Sequence, residues 1–263
     1  MMKLGIIAEP DQKGFDLALK YGLSFIEICK NVGCDTAVLT DELPAIKSLC
    51  AKTGVVIGSV GRWGSVKFDE EGKLIDEELK ASHTLIDAAS ELESPVFNTG
   101  VNYVEKLSKY ENIIRTMDYL HTLMEYAKPK GVQVAVYNCH WSNYIVDPFM
   151  WEIFHGHMKD LGIKYDPTHC INDGSGDYLG EMKDWGSRFV HVHIKGTINV
   201  NGVHVDDPPA GLDQINWGTF MGLLYKHGYD GNLSIEPHSN TWRGRLEEPG
   251  IEFTTNYIKK LLL

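Results

Sequence analysis

The sequence predicts a single (βα)8 barrel, and three observations carry that prediction. Short apolar runs alternate with longer segments of helical period. Eight strand candidates can be counted. The 263 residues match the roughly 250 that such a barrel occupies. The strand candidates are residues 3–8, 24–28, 55–59, 94–99, 132–137, 162–166, 189–195 and 233–236. Each is an apolar stretch too short to be a core helix.

The helices fall between them. Residues 14–21 place Phe15, Ala18 and Leu19 at helical spacing and stop at Gly22, a residue suited to the left-handed C-terminal position. Residues 41–53 read as a second helix ending before Gly54. Residues 75–92 carry the clearest stripe, with Leu79, Leu85, Ile86, Ala89 and Leu92 on one face. A helix over 110–128 closes on a Pro129–Gly131 turn, and Pro148 suits the start of the helix over 148–158. Further helices are predicted over 178–185, 217–227 and 248–263. Strand–helix alternation implies parallel βαβ units, which either close into a barrel or form an open doubly wound sheet. The count and the length favour the barrel. No G-x-G-x-x-G follows the first strand and no G-x-x-x-x-G-K-[ST] occurs, which argues against a nucleotide-binding sheet. No linker or repeat interrupts the chain, so one domain over 1–263 is expected.

Composition narrows the function classes. An apolar share of 43% supports a large core. Twenty-five basic against 36 acidic side chains leave a net charge of −11, which disfavours nucleic-acid partners. Cys29, Cys34, Cys50, Cys139 and Cys170 form no C-x-x-C pair and no even framework, so inert thiols are expected rather than disulfides or structural zinc. No secretory signal and no apolar run of membrane-spanning length is visible, and the expectation is a cytoplasmic chain with no membrane partner.

In a parallel barrel the functional side chains gather at the C-terminal ends of the strands. Here those ends read Tyr137-Asn138-Cys139-His140, Asp166-Pro167-Thr168-His169, His191-Val192-His193-Ile194-Lys195 and Glu236-Pro237-His238. Asp166, His193 and Glu236 offer two carboxylates and one imidazole, a set suited to manganese, magnesium, cobalt or zinc with open coordination positions. Such an ion would act as a Lewis acid on a sugar's carbonyl and hydroxyl. His191 shares the inward parity of His193 but lies deeper, so it is expected to be a hydrogen-bonded core histidine. Glu236, His169 and Lys195 are the candidate catalytic groups. Glu27 in the second strand, Arg62 and Trp63 after the third, Tyr137, His140 with Trp141 after the fifth, and His238 after the eighth are candidate substrate contacts.

Four segments in order resemble the xylose-isomerase-like superfamily of sugar phosphate isomerases and epimerases, which also holds inosose dehydratases and the endonuclease IV group. LALKYGLSFIEI resembles the opening helix, Gly and strand ending in Glu, with Glu27 in that place. YDPTH at 165–169 resembles D-x-x-H, and HVHIK at 191–195 resembles H-x-H-x-K. The stretch 208–238 resembles the segment that runs through a tryptophan and G-Y-D-G to a final Glu. The resemblance covers nearly the whole chain. It implies a divalent metal held by Glu, Asp, His and Glu from strands five to eight. Asp166, His193 and Glu236 match the last three, but Tyr137 stands where the first Glu belongs, and Lys195 is followed by Gly196 rather than the frequent Asp. A three-ligand site, one completed by His140 or Asn138, or a lost metal would each satisfy this pattern.

The resemblance also implies epimerisation between two glutamates on opposite faces of the substrate. This chain keeps only Glu236 of that pair. The expectation is proton abstraction next to a carbonyl on a small carbohydrate, giving isomerisation or epimerisation, with His169, His140 or Lys195 as the second group. Elimination on a keto-sugar or cyclitol is the runner-up, and a metal-free sugar-binding barrel is the non-catalytic alternative. Endonuclease IV-type repair is disfavoured by the missing ligands and the acidic charge. A homo-oligomer would be unsurprising for this fold.

Overall fold

A computed structural model describes all 263 residues. The strands in chain order are β1 (Lys3–Ile7), β2 (Phe25–Cys29), β3 (Val56–Gly61), β4 (Val96–Thr99), β5 (Gln133–Tyr137), β6 (Gly162–Tyr165), β7 (Phe189–Ile194), β8 (Ile198–Val200), β9 (Val203–Asp206) and β10 (Asn232–Ile235). β1 to β7 and β10 close into a parallel barrel, with β10 lying between β7 and β1. The helices are α1 (Gln12–Tyr21), α2 (Ala37–Thr53), α3 (Asp76–Glu91), α4 (Lys109–Ala127), α5 (Pro148–His157), α6 (Pro167–Asp173), α7 (Tyr178–Trp185), α8 (Trp217–Lys226), α9 (Ser239–Trp242) and α10 (Glu247–Lys259). None is long and apolar enough to cross a membrane.

Every predicted barrel strand and helix is present, with ends displaced by a few residues. α2 begins at Ala37, four residues before its expected start at 41, and keeps Pro44 inside it. Three short elements were not expected. β8 and β9 form an antiparallel hairpin, turned by Asn201 and Gly202, which both have positive φ. An Asn-Gly pair is the turn chemistry such a hairpin needs. α6 starts directly at Pro167, with Asp166 as its N-cap, and α9 is a single turn after His238. All three are too short to show a period.

The large apolar core lies between the outer face of the barrel and the helices, with Phe15, Leu85, Leu120, Phe154, Phe220 and Ile258 fully buried. Inside the barrel the filling changes with depth. At the N-terminal end the Phe25 ring plugs the lumen. A side chain at Gly5 or Gly58 would meet that ring at 2.5 and 2.3 Å, so both positions must lack a Cβ. Above Phe25 the inward residues turn polar: Glu27, Ser59, Lys164 and His191, then Asp166 and His193. Charge this deep persists only when paired or when a ligand needs it.

One cluster braces the rim. Arg62, just past β3, bonds through Nε and Nη2 to both carboxylate oxygens of Glu78 on α3, at 2.8 and 2.6 Å. Its Nη1 donates to the carbonyls of Lys30, Asn31 and Cys34, which stitches the loop after β2 to α3. Lys67, fully buried, completes the cluster at 3.3 Å from Glu78. The expectation that Arg62 contacts a substrate is therefore corrected: its donors are consumed by Glu78 and backbone carbonyls.

Burial opposes the charge on Glu78, but Arg62 and Lys67 outweigh it and hold the carboxyl down at about 2, against an ordinary 4.5. A carboxyl with a depressed folded pKa lends stability that is full above about pH 4.5 and is lost as pH falls toward 2. Replacing Glu78 by Gln leaves two buried cations without a counter-charge. The expected cost is about 3–5 kcal/mol at pH 7 by urea unfolding. The variant should also lack the part of the acid-side loss between pH 5 and 3 that Glu78 contributes in the wild type. An unchanged pH profile would remove this cluster from the stability account.

Candidate active site

The C-terminal ends of β5, β6, β7 and β10 converge on a cavity of about 280 Å³. Parallel pairing in register brings them there: His191 lies beside Lys164 on one side and Asn232 on the other, and His193 lies beside Ser234. Each further inward position along these strands climbs toward the rim.

Asp166, His193 and Glu236 meet, with one ligand atom of each lying within 4.8 Å of the others. Asp166 Oδ1 is spent on Thr168, accepting from its amide at 2.9 Å and its hydroxyl at 2.6 Å. Asp166 Oδ2 is buried and turned to the ion pair. Lys195 Nζ lies 3.0 Å from that oxygen and 3.2 Å from Glu236 Oε2. His193 Nδ1 is 3.0 Å from Glu236 Oε2, and its Nε2 is 3.0 Å from Glu27 Oε2 on the opposite side.

The charges follow from this pairing. Burial raises the cost of ionising Glu236, but Lys195 and then His193 more than offset it, so the carboxyl is held well below its ordinary range. Asp166 is lowered in the same way, against its burial, chiefly by Lys195 and His169. Burial would discharge Lys195, but Asp166 and Glu236 raise it instead. His169 stands 3.5 Å from Asp166 and 3.8 Å from Asp173. Burial and Lys195 work against its charge, yet Asp166, Asp173 and the Cys139 thiol prevail and raise it to about 9. The site at neutral pH thus holds a free carboxylate base in Glu236 and cationic acids in His169 and Lys195.

Glu27 does not reach the cavity. It is fully buried beneath it, with Oε2 at 2.8 Å from His191 Nε2 and 3.0 Å from His193 Nε2, and holds both imidazoles in place. Its expected substrate contact is corrected to a supporting role, and His191 is the hydrogen-bonded interior histidine expected of it. Glu27, His191 and His193 also bring ligand atoms within 4.8 Å of one another, below the rim set and sharing His193 with it.

Trp63 lines the cavity, 7% exposed, stacked on Tyr137 at 5.7 Å and on His193 at 6.4 Å. Tyr137 is buried, and its hydroxyl donates to the Trp141 carbonyl at 3.1 Å and accepts from the Gly64 amide at 3.3 Å. It tethers the loops after β3 and β5, so it is neither a metal ligand nor an open substrate donor. His140 is exposed and stands outside the cavity lining, which Cys139 and Trp141 supply from that loop. His238 lines the mouth and bonds through Nδ1 to Asp207 at 2.7 Å.

Lys164 was missed from the sequence. It is 1% exposed, lines the cavity and shares the inward parity of Asp166. That parity was the available signal. Cys139 is expected to be inert, yet its thiol is lowered, despite burial, chiefly by the neighbouring His169.

Comparison with known proteins agrees with this architecture. The family described as xylose isomerase-like TIM barrel matches residues 15–260. No curated protein sequence matches the chain. Among solved structures the chain is similar to D-psicose 3-epimerase with D-tagatose from Clostridium cellulolyticum H10, at 16% identity over 99% of both chains with a TM-score of 0.79. It is similar to the IolI protein with a binding zinc atom, at 18% identity over 99% of this chain and 98% of that one, TM-score 0.79. It is also similar to 3-keto-D-glucoside 4-epimerase YcjR from E. coli, apo form, at 16% identity over 99% of both chains, TM-score 0.71. Identities this low carry the fold, and the match over residues 15–260 places the chain in the xylose isomerase-like TIM barrel family.

Proposed function

We propose that this protein is a sugar isomerase or epimerase that moves a proton on a carbon next to a carbonyl. The observation that carries the reading is the Glu236 carboxylate. It is kept ionised by Lys195 and His193 at the edge of a monosaccharide-sized cavity, with the His169 cation lining the same space. The activities named for D-psicose 3-epimerase and 3-keto-D-glucoside 4-epimerase support it by analogy of fold.

The donor set fits a divalent ion. Asp166, His193 and Glu236 bring two carboxylate oxygens and an imidazole nitrogen within 4.8 Å of one another, with Lys195 now holding the place of a cation beside both carboxylates. When bound there, such an ion supplies Lewis-acid polarisation of the substrate's carbonyl oxygen. The zinc of the IolI structure supports the assignment. The chain's own groups do the rest. Trp63 offers an aromatic face to the sugar ring. Glu236 accepts the α-proton. His169, charged to about pH 9, returns a proton to the neighbouring oxygen or carbon. Lys195 offsets the charges of Asp166 and Glu236.

One base facing one cationic acid also suits elimination, in which Glu236 takes the α-proton and His169 protonates the departing hydroxyl. Tyr137 in place of a second carboxylate is the observation that favours this second reading.

The reading is tested by proton NMR in D2O, with manganese, on D-psicose, D-tagatose, D-fructose and a 3-keto-glucoside. Exchange of one α-proton with the carbon skeleton retained establishes isomerisation or epimerisation. Loss of water from the product moves the protein to the lyase reading, and no exchange with any keto-sugar rejects both. Glu236→Gln should lower the exchange rate by about 10²–10⁴-fold while the fold is retained. Elemental analysis should find about one divalent ion per chain, lost in Glu236→Gln combined with His193→Ala. A metal-free wild type after manganese and zinc loading would remove the ion from this account.

A further inference from the structure

The interior of the barrel holds one ammonium that makes no direct ion pair and favours the charges of Asp166 and Glu236 only from a distance. Lys164, on β6, lies one inward position deeper than Asp166 and in register with Tyr137 on β5 and His191 on β7. It is 1% exposed, and the surface it retains faces the cavity. No carboxylate oxygen stands within 4.0 Å of its Nζ, and Nζ makes no hydrogen bond to any protein atom. The other interior charges are in direct contact with an opposite one: Glu27 with His193, and Asp166 and Glu236 with Lys195, whose one ammonium is shared between the two carboxylates. A buried ammonium without a partner costs stability, and a fold retains it where a ligand supplies the missing charge.

The rest of the cavity points the same way. Glu236 is the only carboxylate residue among its lining residues, and its Oε2 is already engaged by Lys195 and His193. Arg243 at the mouth also has no carboxylate within 4.0 Å, its Nε being bonded to the Pro237 carbonyl. The space a ligand would fill is therefore lined by cations in excess.

We propose that the substrate is an acidic sugar whose carboxylate is received by Lys164 at the floor of the cavity. This rests on the carbohydrate reading above and adds the charge of the substrate to it. One ammonium matches the single charge of a carboxylate. A phosphate ester carries close to two charges at neutral pH and calls for a richer set of donors than this floor offers. Lys164 is thus a specificity-determining residue: it orients the sugar acid with its reactive carbons between Glu236 and His169.

The test is calorimetric titration of the full-length protein, at matched metal content, with D-glucuronate, D-gluconate, D-glucose and D-glucose 6-phosphate. The expected result is that a sugar acid binds wild type at least about 10-fold more tightly than glucose. In Lys164→Met that preference falls by about 10–100-fold, the scale of one hydrogen bond to a charged group. Removing an unmatched charge should also leave the melting temperature of Lys164→Met unchanged or raised, whereas a lysine with a purely structural role would lower it.

Equal affinity of wild type for glucose and the acids overturns the proposal, whatever the variant does. So does tighter binding of the phosphate ester than of either acid, or a lowered melting temperature with unchanged selectivity. If neutral keto-sugars exchange α-protons and no acid is preferred, the reaction stands and this assignment falls. If acids bind through Lys164 and no sugar exchanges a proton, the assignment stands and the reaction falls.

Discussion

His193 is bonded through both ring nitrogens to carboxylates, and the polar interior of the barrel is arranged around that fact. Glu27 holds the ring from below and Glu236 from above. Neither carboxylate could sit in the lumen alone, because desolvating a single charge costs far more than a fold of this size has in reserve. Glu27 therefore takes two histidines, and Glu236 shares Lys195 with Asp166. The result is a continuous alternation of charge from the middle of the barrel to its mouth. It locks the imidazole plane, and it keeps the rim carboxylate ionised although most of it is buried.

The same arrangement shows what Tyr137 does where the sequence resemblance implies a Glu. A carboxylate at position 137 would have added a fourth negative group to Asp166, Glu236 and Glu27. Tyr137 instead adds none, and its hydroxyl is spent on the backbone of two loops. With Lys164 beside it in register, this side of the lumen is cationic rather than anionic.

Much of this was legible in the sequence because parallel strands impose two simple rules. Inward residues recur every second position, and chemistry collects where strands end. Those rules located Asp166, His193, Lys195 and Glu236, which the structure brings into contact. They failed where a side chain's partner is remote in sequence. Nothing near Arg62 announces that Glu78, on the next helix, will claim it. Nothing near Glu27 announces that histidines 164 and 166 residues away will bury it. Lys164 was overlooked for the opposite reason: a lysine in the middle of a strand reads as a solvent-facing residue, although two-residue parity with Asp166 already aimed it inward. The hairpin after β7 carried an Asn-Gly signal but no apolar alternation of useful length.

The contact between Gly64 and Trp141 has a consequence for how such a protein diverges. Gly64 has φ of 72°, and a Cβ there would meet the Trp141 ring at 2.1 Å, while Ser142 Oγ bonds the Gly64 carbonyl at 3.0 Å. The loops after β3 and β5 therefore fit only as a pair. Enlarging residue 64 displaces the indole at 141, and one wall of the cavity goes with it. Reshaping this side of the barrel takes a coordinated change in two loops far apart in the chain rather than a change in either one.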